Sequence, residues 1–244
     1  MTLAWILVCI LAGSIGALAV AGSFLLFPDQ VRRRFLPLLV SYATGSLLGG
    51  AFLGLIPHAL EHEASGPVLA AVFGGFVLFF ILEKLVIWRH CHVAHCDIHS
   101  AAGPLIIIGD SVHNFVDGVI IAAAFLNSTE LGIAATIAVI AHEIPQEVGD
   151  FAILLDSGYS VRRALVLNVA SSLTSLIGGL GAYFLLRQVQ VLLPYVMAVS
   201  AASFIYIAAA DLIPGLHRQS APKHALQQIL LLTAGAATIW LFHH

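Results

Sequence analysis

Residues 109–118 of the chain read GDSVHNFVDG, and residues 141–150 read AHEIPQEVGD. Both stretches are polar, yet each lies near the middle of a long apolar segment. If these segments are α-helices, the polar side chains of each stretch fall on one face, within an arc of about 100° to 140°. They are Asp110, His113, Asn114 and Asp117 in the first segment and His142, Glu143, Gln146, Glu147 and Asp150 in the second. Two facing helices would bring these nine side chains, here called the polar seam, together.

The composition places this seam in a membrane. Hydrophobic residues make up 60% of the chain and charged residues only 9%, and the mean hydropathy is +1.00; such values are typical of polytopic membrane proteins. An ionised carboxylate at the bilayer centre costs about 2.5–3.5 kcal/mol, so the five in the seam would together cost roughly 12–17 kcal/mol if unpaired. Neither segment contains Lys or Arg. The neutralising charge must therefore come from bound cations, bound protons or both.

Eight apolar segments, each about 18–26 residues long, can cross a hydrocarbon core of about 30 Å as helices. They cover residues 3–27, 38–56, 67–87, 101–126, 131–155, 164–186, 192–213 and 225–242. The sequence therefore predicts an all-α polytopic membrane protein with one transmembrane domain over residues 1–244. Ile56-Pro57 in the second segment and Ile213-Pro214 in the seventh indicate two inverted three-helix units, segments 1–3 and 6–8, flanking the central polar pair.

Basic residues predict the orientation of these segments. Nine of the ten Lys and Arg residues are predicted to lie on one side of the membrane, and Arg187 is predicted to lie on the other. Those in or beside the loops after segments 1, 3, 5 and 7 are Arg32, Arg33, Arg34, Lys84, Arg89, Arg162, Arg163, Arg218 and Lys223. The asymmetry predicts that both termini are outside, and we expect a bacterial or archaeal plasma membrane. No basic patch indicates a nucleic-acid partner, and a homodimer is a candidate assembly.

The donor atoms of the seam favour a divalent metal ion. Imidazole with carboxylate and carboxamide oxygen suits Zn²⁺, accepts Fe²⁺, Mn²⁺ or Cd²⁺, and is poor for Cu⁺, which prefers sulfur. His113 and Asp117 are four residues apart and can share one ion. His142 and Gln146 repeat that spacing on the opposing helix, and Glu143 is adjacent. These five residues are the first candidates for metal ligands.

Other polar residues are candidates for supporting roles. Asn114 and the remaining carboxylates could form a second metal position beside the first. Asp110 and Asp150 lie one helical turn beyond the ligands, so we expect them, with Glu147, to be outer partners of the ligands, proton carriers or secondary metal ligands. His58, at the outer end of the second segment, could help to recruit metal or could belong to a solvated polar turn.

Residues 88–100 form a His- and Cys-rich loop that the orientation places in the cytoplasm. The candidate metal-binding histidines there are His90, His92, His95 and His99. Their spacing does not specify a closed tetrahedral site. The loop therefore favours flexible metal capture, with a merely solvated loop as the alternative.

Two other function classes are compatible with parts of the pattern. His142-Glu143-x-x-Gln146 differs by one residue from the HExxH zinc motif, which would indicate an intramembrane metalloprotease. That change removes the second His ligand. A proton-coupled transporter of an organic solute would use the acids as proton carriers, but no Lys or Arg faces the seam to hold an anionic substrate.

The two motifs together resemble the fourth and fifth spans of ZIP (Zrt/Irt-like protein) metal transporters. The matching residues are His113-Asn114-Phe115-Val116-Asp117-Gly118 and His142-Glu143-Ile144-Pro145-Gln146-Glu147-Val148-Gly149-Asp150. The resemblance extends over the chain, because it includes eight spans, outward termini and a His-rich loop after the third span. It implies an importer of divalent metal, zinc first, that is not an enzyme and needs no cofactor. Spans 1, 4, 5 and 6 would shift against spans 2, 3, 7 and 8 in an elevator-like movement.

The resemblance also implies which residues bind metal. The main transport site would comprise His113, Asp117, His142, Glu143 and Gln146. Asn114, with Asp117 and Glu143 as bridging ligands, would belong to the second position of a binuclear centre. Many relatives have His or Glu where this chain has Gln146. The sixth segment offers Asn168, Ser171, Ser172 and Thr174 but no carboxylate, which weakens the second position.

Overall fold

The computed structural model describes residues 2–24, 26–90, 98–217 and 222–243, most of them with their side chains. These residues form eight long helices joined by short connections. In chain order, α1 comprises Thr2–Leu11, Ala12–Gly16 and Ala17–Phe24; α2 comprises Asp29–Gly49, Gly50–Leu55 and Ile56–His62; α3 is Ser65–His90; α4 is Ile98–Asn127; α5 is Thr129–Asp156; α6 comprises Val161–Ser172 and Thr174–Gln188; α7 comprises Leu193–Ile207, Ala208–Leu212 and Ile213–His217; and α8 is Pro222–His243.

The helices confirm the predicted all-α polytopic class. Seven of the eight are long and apolar enough to cross a membrane, by length and composition, over the part of the chain that is described. The remaining helix, α5, has 28 residues and carries three acids of the seam. Helices suit such segments because each backbone N–H and C=O is satisfied within the helix, where lipid offers no partner.

Several helices extend beyond the apolar segments that hydropathy marks. The clearest case is α2, which begins at Asp29 although its apolar segment begins at residue 38. Pro28 at its N-cap suits a helix start, because proline has a fixed φ and no N–H to leave unsatisfied. Hydropathy registers only the lipid-crossing part of a helix, whereas the hydrogen-bonded backbone continues through the charged turn that precedes it.

Two helices contain a π-helical turn at an equivalent place. In α2 the turn Gly50–Leu55 directly precedes Ile56 and Pro57, and in α7 the turn Ala208–Leu212 directly precedes Ile213 and Pro214. Proline cannot donate to the carbonyl four residues earlier, and a π turn is one way for a helix to accommodate that loss. The shared Ile-Pro pattern thus coincides with a shared irregularity of the backbone.

The packing of α2 and α7 also agrees with an inverted repeat. α2 packs along α8, while α7 packs along α3. α2 and α8 approach each other so closely at Gly45 that a Cβ there would collide with the backbone of Leu232. If segments 1–3 correspond to 6–8, the α2–α8 pair corresponds to the α7–α3 pair. This is the arrangement that two inverted three-helix units would produce.

The polar pair lies inside this frame. α4 and α5 pack against each other, and α4 also packs tightly along α6. Gly118 and Gly178 permit that approach, since a Cβ on Gly118 would collide with Ser175 O and one on Gly178 with Phe115 O. Helices in lipid associate through such close packing of small residues. α3 and α8, in contrast, expose many large apolar side chains, as expected of surfaces that face lipid.

Candidate metal centre

Four polar-seam side chains converge between α4 and α5. His113 and Asp117 lie one turn apart on α4, and His142 and Glu143 are neighbours on α5. One donor atom from each lies within 4.8 Å of the others. Asp117, His142 and Glu143 are only 1–2% exposed, and His113 is 16% exposed. These four residues are called the four-donor site below.

The separations within the four-donor site match those required around one metal ion. The His113 and His142 Nε2 atoms are 2.9 Å apart. From His113 Nε2, Asp117 Oδ2 is at 3.6 Å and Glu143 Oε1 at 3.5 Å; from His142 Nε2 the same oxygens are at 3.4 and 3.8 Å. Donors placed tetrahedrally about 2.1 Å from Zn²⁺ are roughly 3.4 Å from one another. Five of the six separations, from 2.9 to 3.8 Å, are therefore close to those of a tetrahedral zinc site.

The ring of His142 is held in the orientation that ligation needs. Its Nδ1 lies 3.0 Å from the carbonyl oxygen of Ala138, which can only accept, so this contact assigns the ring proton to Nδ1. Nε2 then carries a lone pair that points toward the ligand atoms of the other three residues of the four-donor site. The ring of Phe204, on α7, packs against the imidazole at a centroid distance of 6.0 Å. A hydrogen bond to the non-ligating nitrogen is the usual way in which proteins orient a metal-binding histidine.

The two carboxylates of the site accept no hydrogen bond from the residues that the structure describes. Both oxygens of Asp117 and both of Glu143 are buried and lack a hydrogen-bond partner among the described residues. The ion pairs of these carboxylates within the same part of the chain join them to His113 and His142. Buried carboxylates are normally paired, hydrogen-bonded or metal-bound. A divalent cation between them would satisfy their free oxygens and balance their charge.

The side-chain amides of Asn114 and Gln146 donate hydrogen bonds to Asp110. Asn114 Nδ2 donates to Asp110 Oδ1 at 2.9 Å and to the Asp110 carbonyl at 3.1 Å, and Gln146 Nε2 donates to Asp110 Oδ1 at 3.3 Å. Asp110 is buried. The amide nitrogens of both predicted ligands are thus directed at a carboxylate next to the four-donor site, and their direct metal ligation stays a prediction.

The remaining acids of the seam lie further along α5. Glu147 is fully buried, and its Oε1 accepts a 2.9 Å hydrogen bond from Ser172 of α6. Asp150 is half-buried, one turn beyond Glu147. Sequence reasoning marked Ser172 only as one of several polar residues on the sixth segment. The contact joins residues on separate helices, so helical spacing gave no signal for it.

The other predicted metal ligands do not join this group. His58 Nδ1 lies 3.1 Å from the carbonyl oxygen of Gly54 on its own helix. Among the residues with described side chains, the cluster of three or more His, Cys, Asp or Glu ligands is the four-donor site, and His58 is not in it. The loop histidines His90, His92, His95 and His99 lie outside the described side chains.

Comparison with known proteins decides the family. A family model described as ZIP zinc transporter matches residues 88–243, more than half of the chain. The chain belongs to the ZIP family. Zinc transporter ZIP13 of Pongo abelii is 34% identical over 222 residues, which cover 84% of this chain and 66% of the relative. Zinc transporter SLC39A7 of Mus musculus is 29% identical over 305 residues, covering 87% and 63%. The ZIP13 homolog of Drosophila melanogaster is 29% identical, covering 89% and 81%.

Membership in the ZIP family narrows the function classes that the sequence left open. ZIP proteins are transporters, not enzymes, that move zinc as a substrate and need no cofactor. The intramembrane metalloprotease and the organic-solute transporter are therefore not favoured. The chain spans roughly two thirds of the length of the first ZIP relatives named here. The matched range 88–243 includes α4 and α5, which form the four-donor site.

Proposed function

We propose that the chain carries divalent metal ions, Zn²⁺ first, across a membrane by way of the four-donor site. One observation carries the proposal: His113, Asp117, His142 and Glu143 present one donor atom each within 4.8 Å, inside a bundle of apolar helices. The names of the ZIP relatives support zinc as the substrate. Fe²⁺, Mn²⁺ and Cd²⁺ accept the same donors and are further candidate substrates.

The donor set suits transport better than permanent storage. Two carboxylates neutralise one divalent ion, and two neutral imidazoles complete its coordination without adding charge, so the ion can leave water at the bilayer midplane. Protons compete with metal for all four donors, so affinity weakens as the pH falls. Asn114, with Asp117 and Glu143 as bridging ligands, is proposed to share a second ion beside the first. The oxygens of Asp117 and Glu143, which have no hydrogen-bond partner in the described part of the chain, support this role.

Import toward the cytoplasm is the proposed direction. It is the direction that the resemblance to ZIP transporters implies. The distribution of Lys and Arg adds the orientation, since it predicts that both termini are outside. The loop 88–100 would then lie in the cytoplasm, where its His and Cys residues could collect the arriving metal. The named relatives are animal proteins, so placement in a bacterial or archaeal plasma membrane stays a prediction. A homodimer is likewise a proposed assembly.

Alternating access is proposed to arise from movement of α1, α4, α5 and α6 against α2, α3, α7 and α8. The packing supports these two groups. α4 and α6 meet through glycines on both helices, and Ser14 Oγ of α1 lies 2.8 Å from Ser175 Oγ of α6. In the second group, α2 packs closely on α8, and α3 on α7. Both metal-binding helices belong to the first group, so the whole four-donor site would move as one unit.

Zinc flux into liposomes tests the proposal. Purified protein is reconstituted with a zinc-sensitive dye inside, and wild type is compared with His142→Ala and Glu130→Gln. We expect uptake by wild type and Glu130→Gln, because Glu130 is exposed in the first turn of α5, and loss of uptake in His142→Ala. Both variants must elute as monodisperse protein. Uptake by His142→Ala at the wild-type rate would contradict the role of the four-donor site.

A further inference from the structure

We propose that Asp110, Glu147 and Asn168 form an additional, oxygen-only cation position next to the four-donor site, into which the transported metal passes. The inference rests on the proposed function, since it concerns the path of the same ion. The three residues come from α4, α5 and α6. Asp110 and Glu147 each lie about one helical turn from a residue of the four-donor site. Asn168 lies about one turn from Ser172, which donates a hydrogen bond to Glu147. All three side chains are at most 4% exposed.

Asp110 provides the first free oxygen of this position. Its Oδ1 accepts hydrogen bonds from Asn114 and Gln146, which fix the carboxylate in place. Its Oδ2 is buried and has no hydrogen-bond partner among the described residues. One oxygen is thus used to orient the group, and the other remains available. A ligating carboxylate that is itself held by hydrogen bonds is the usual arrangement around protein-bound metals.

Glu147 repeats this arrangement on α5. Ser172 donates to its Oε1 at 2.9 Å, while its Oε2 is buried and without a partner in the part of the chain that the structure describes. Gln146, the residue directly before Glu147 on α5, donates to Asp110 Oδ1 at 3.3 Å, which brings this part of α5 against Asp110. Two oriented carboxylates therefore lie near each other, each with one free oxygen.

Asn168 provides an independent indication that a ligand belongs here. It is fully buried, yet neither its Oδ1 nor its Nδ2 has a hydrogen-bond partner among the described residues. It lies four residues before Ser172 on α6, hence on the same helix face, and Ser172 contacts Glu147. A buried amide with both polar atoms free is rare in a stable fold. Its carbonyl oxygen would be satisfied as a third metal ligand.

Charge balance leads to the same conclusion. One divalent ion in the four-donor site is neutralised by Asp117 and Glu143. Asp110 and Glu147 would then carry two further negative charges, and no ion pair within the described residues links either of them to Lys or Arg. A further divalent ion, bound at the oxygen-only position and distinct from the one proposed beside Asn114, would neutralise both. The two positions would thus each combine one ion with two carboxylates.

The donor types give the two positions different chemistry. The four-donor site offers two imidazole nitrogens, which favour Zn²⁺, whereas the carboxylate and amide oxygens of Asp110, Glu147 and Asn168 suit harder ions such as Mn²⁺. Zn²⁺ should therefore be held less tightly in the oxygen-only position. A sequence of sites from which the ion can leave readily is what conduction requires. α4 reaches Asp110 before His113, and α5 reaches Glu147 after Glu143, so the position lies toward the predicted cytoplasmic side.

Binding of Mn²⁺, followed by electron paramagnetic resonance on protein in lipid nanodiscs, tests the inference. The four-donor site is first disabled by His142→Ala. We expect this variant to retain about one Mn²⁺, and we expect adding Glu147→Gln or Asp110→Asn to weaken that binding by at least about tenfold. Asn168→Ala should weaken it less, because a neutral ligand is lost. Adding Glu130→Gln, the matched control, should leave binding unchanged.

Two results would overturn the inference. One is that His142→Ala binds no Mn²⁺; the other is that neither Glu147→Gln nor Asp110→Asn alters its binding in that background. Testing two acids guards against one variant failing to fold. The proposed function is judged separately, by Zn²⁺ uptake in wild type and its loss in His142→Ala. The Mn²⁺ experiment can therefore contradict the oxygen-only position while zinc uptake still supports transport. Zinc uptake can likewise contradict transport while Mn²⁺ binding supports the oxygen-only position.

Discussion

Replacing Glu143 by Gln should weaken zinc binding and stabilise the metal-free protein at the same time. The substitution keeps the size of the side chain and removes one of the two charges that neutralise the ion. In the structure the carboxylate is 1% exposed, with Oε1 3.5 and 3.8 Å from the two imidazole Nε2 atoms. Both of its oxygens lack hydrogen-bond partners among the described residues. The Glu143 carboxylate should therefore bind metal strongly, and it should destabilise the folded protein when no metal is bound.

The two effects have different magnitudes. Loss of a partner that merely orients a ligand lowers metal affinity about 10–100-fold. A charged group in the four-donor site should exceed this range, so we expect zinc affinity to fall by at least about 100-fold, equivalent to roughly 2.7 kcal/mol. An ionised carboxylate at the bilayer midplane costs about 2.5–3.5 kcal/mol. The metal-free variant should therefore gain up to about 3 kcal/mol in its free energy of unfolding.

Two measurements on protein in nanodiscs separate these effects. Competition with a zinc chelator gives the affinity, and thermal unfolding with and without Zn²⁺ gives the stability. Glu130→Gln is the control for removing an acid from α5, and it should change neither quantity. Zinc affinity within threefold of wild type would refute the assignment of Glu143 as a ligand. A lower unfolding temperature in the metal-free variant would refute the argument that its carboxylate is destabilising when empty.

Four further outcomes are expected. Zn²⁺, Cd²⁺ or Fe²⁺ should be carried in preference to Cu⁺, because the four-donor site contains no sulfur; greater uptake of Cu⁺ than of Zn²⁺ into liposomes would exclude this ligand set. Replacing the His and Cys residues of 90–99 by Ser should leave uptake measurable and alter only its affinity or regulation, whereas complete loss in inserted protein would place the loop in the pathway. Gln146→Ala should change zinc affinity in chelator competition by less than about tenfold, since its amide nitrogen is directed at Asp110; a larger loss would make Gln146 a direct ligand. Phe204→Ala should destabilise the fold by about 3–5 kcal/mol and weaken zinc binding through His142, with Phe204→Leu less affected in both unfolding and binding assays.

Helical spacing was sufficient to predict much of the candidate site. His113 and Asp117 are four residues apart and therefore lie on one face of α4, whereas His142 and Glu143 are about 100° apart on α5 and fall within one broad polar arc. The absence of Lys and Arg from both segments then required the two faces to meet around a cation or protons. These are local arguments, and they hold because lipid leaves an apolar segment few alternatives to a helix.

Contacts between distant parts of the chain were beyond such reasoning. Spacing places Asn114 and Gln146 on the correct faces, but it does not fix their rotamers, and their amide nitrogens meet Asp110. Phe204 lies 62 residues after His142 in sequence and packs on its ring. Nothing in the periodicity of an almost uniformly apolar helix distinguishes this phenylalanine from its neighbours. Its role follows only from how α7 packs against α5.

The surroundings of the four-donor site are chemically unequal on its two sides. Toward the N-terminal end of α5, the site is bordered by apolar groups: the ring of Phe204 packs on His142, and a Cβ on Gly50 would lie 3.1 Å from that ring and 3.4 Å from Ala138 Cβ. Toward the C-terminal end of α5, Glu147 and its partner on α6 continue the polar surface. A metal ion that loses ligands needs oxygen atoms to replace them, and the buried carboxylate of Glu147 offers them on the second side. In this conformation the ion should therefore leave along the polar side, and the predicted orientation makes that side the cytoplasmic one.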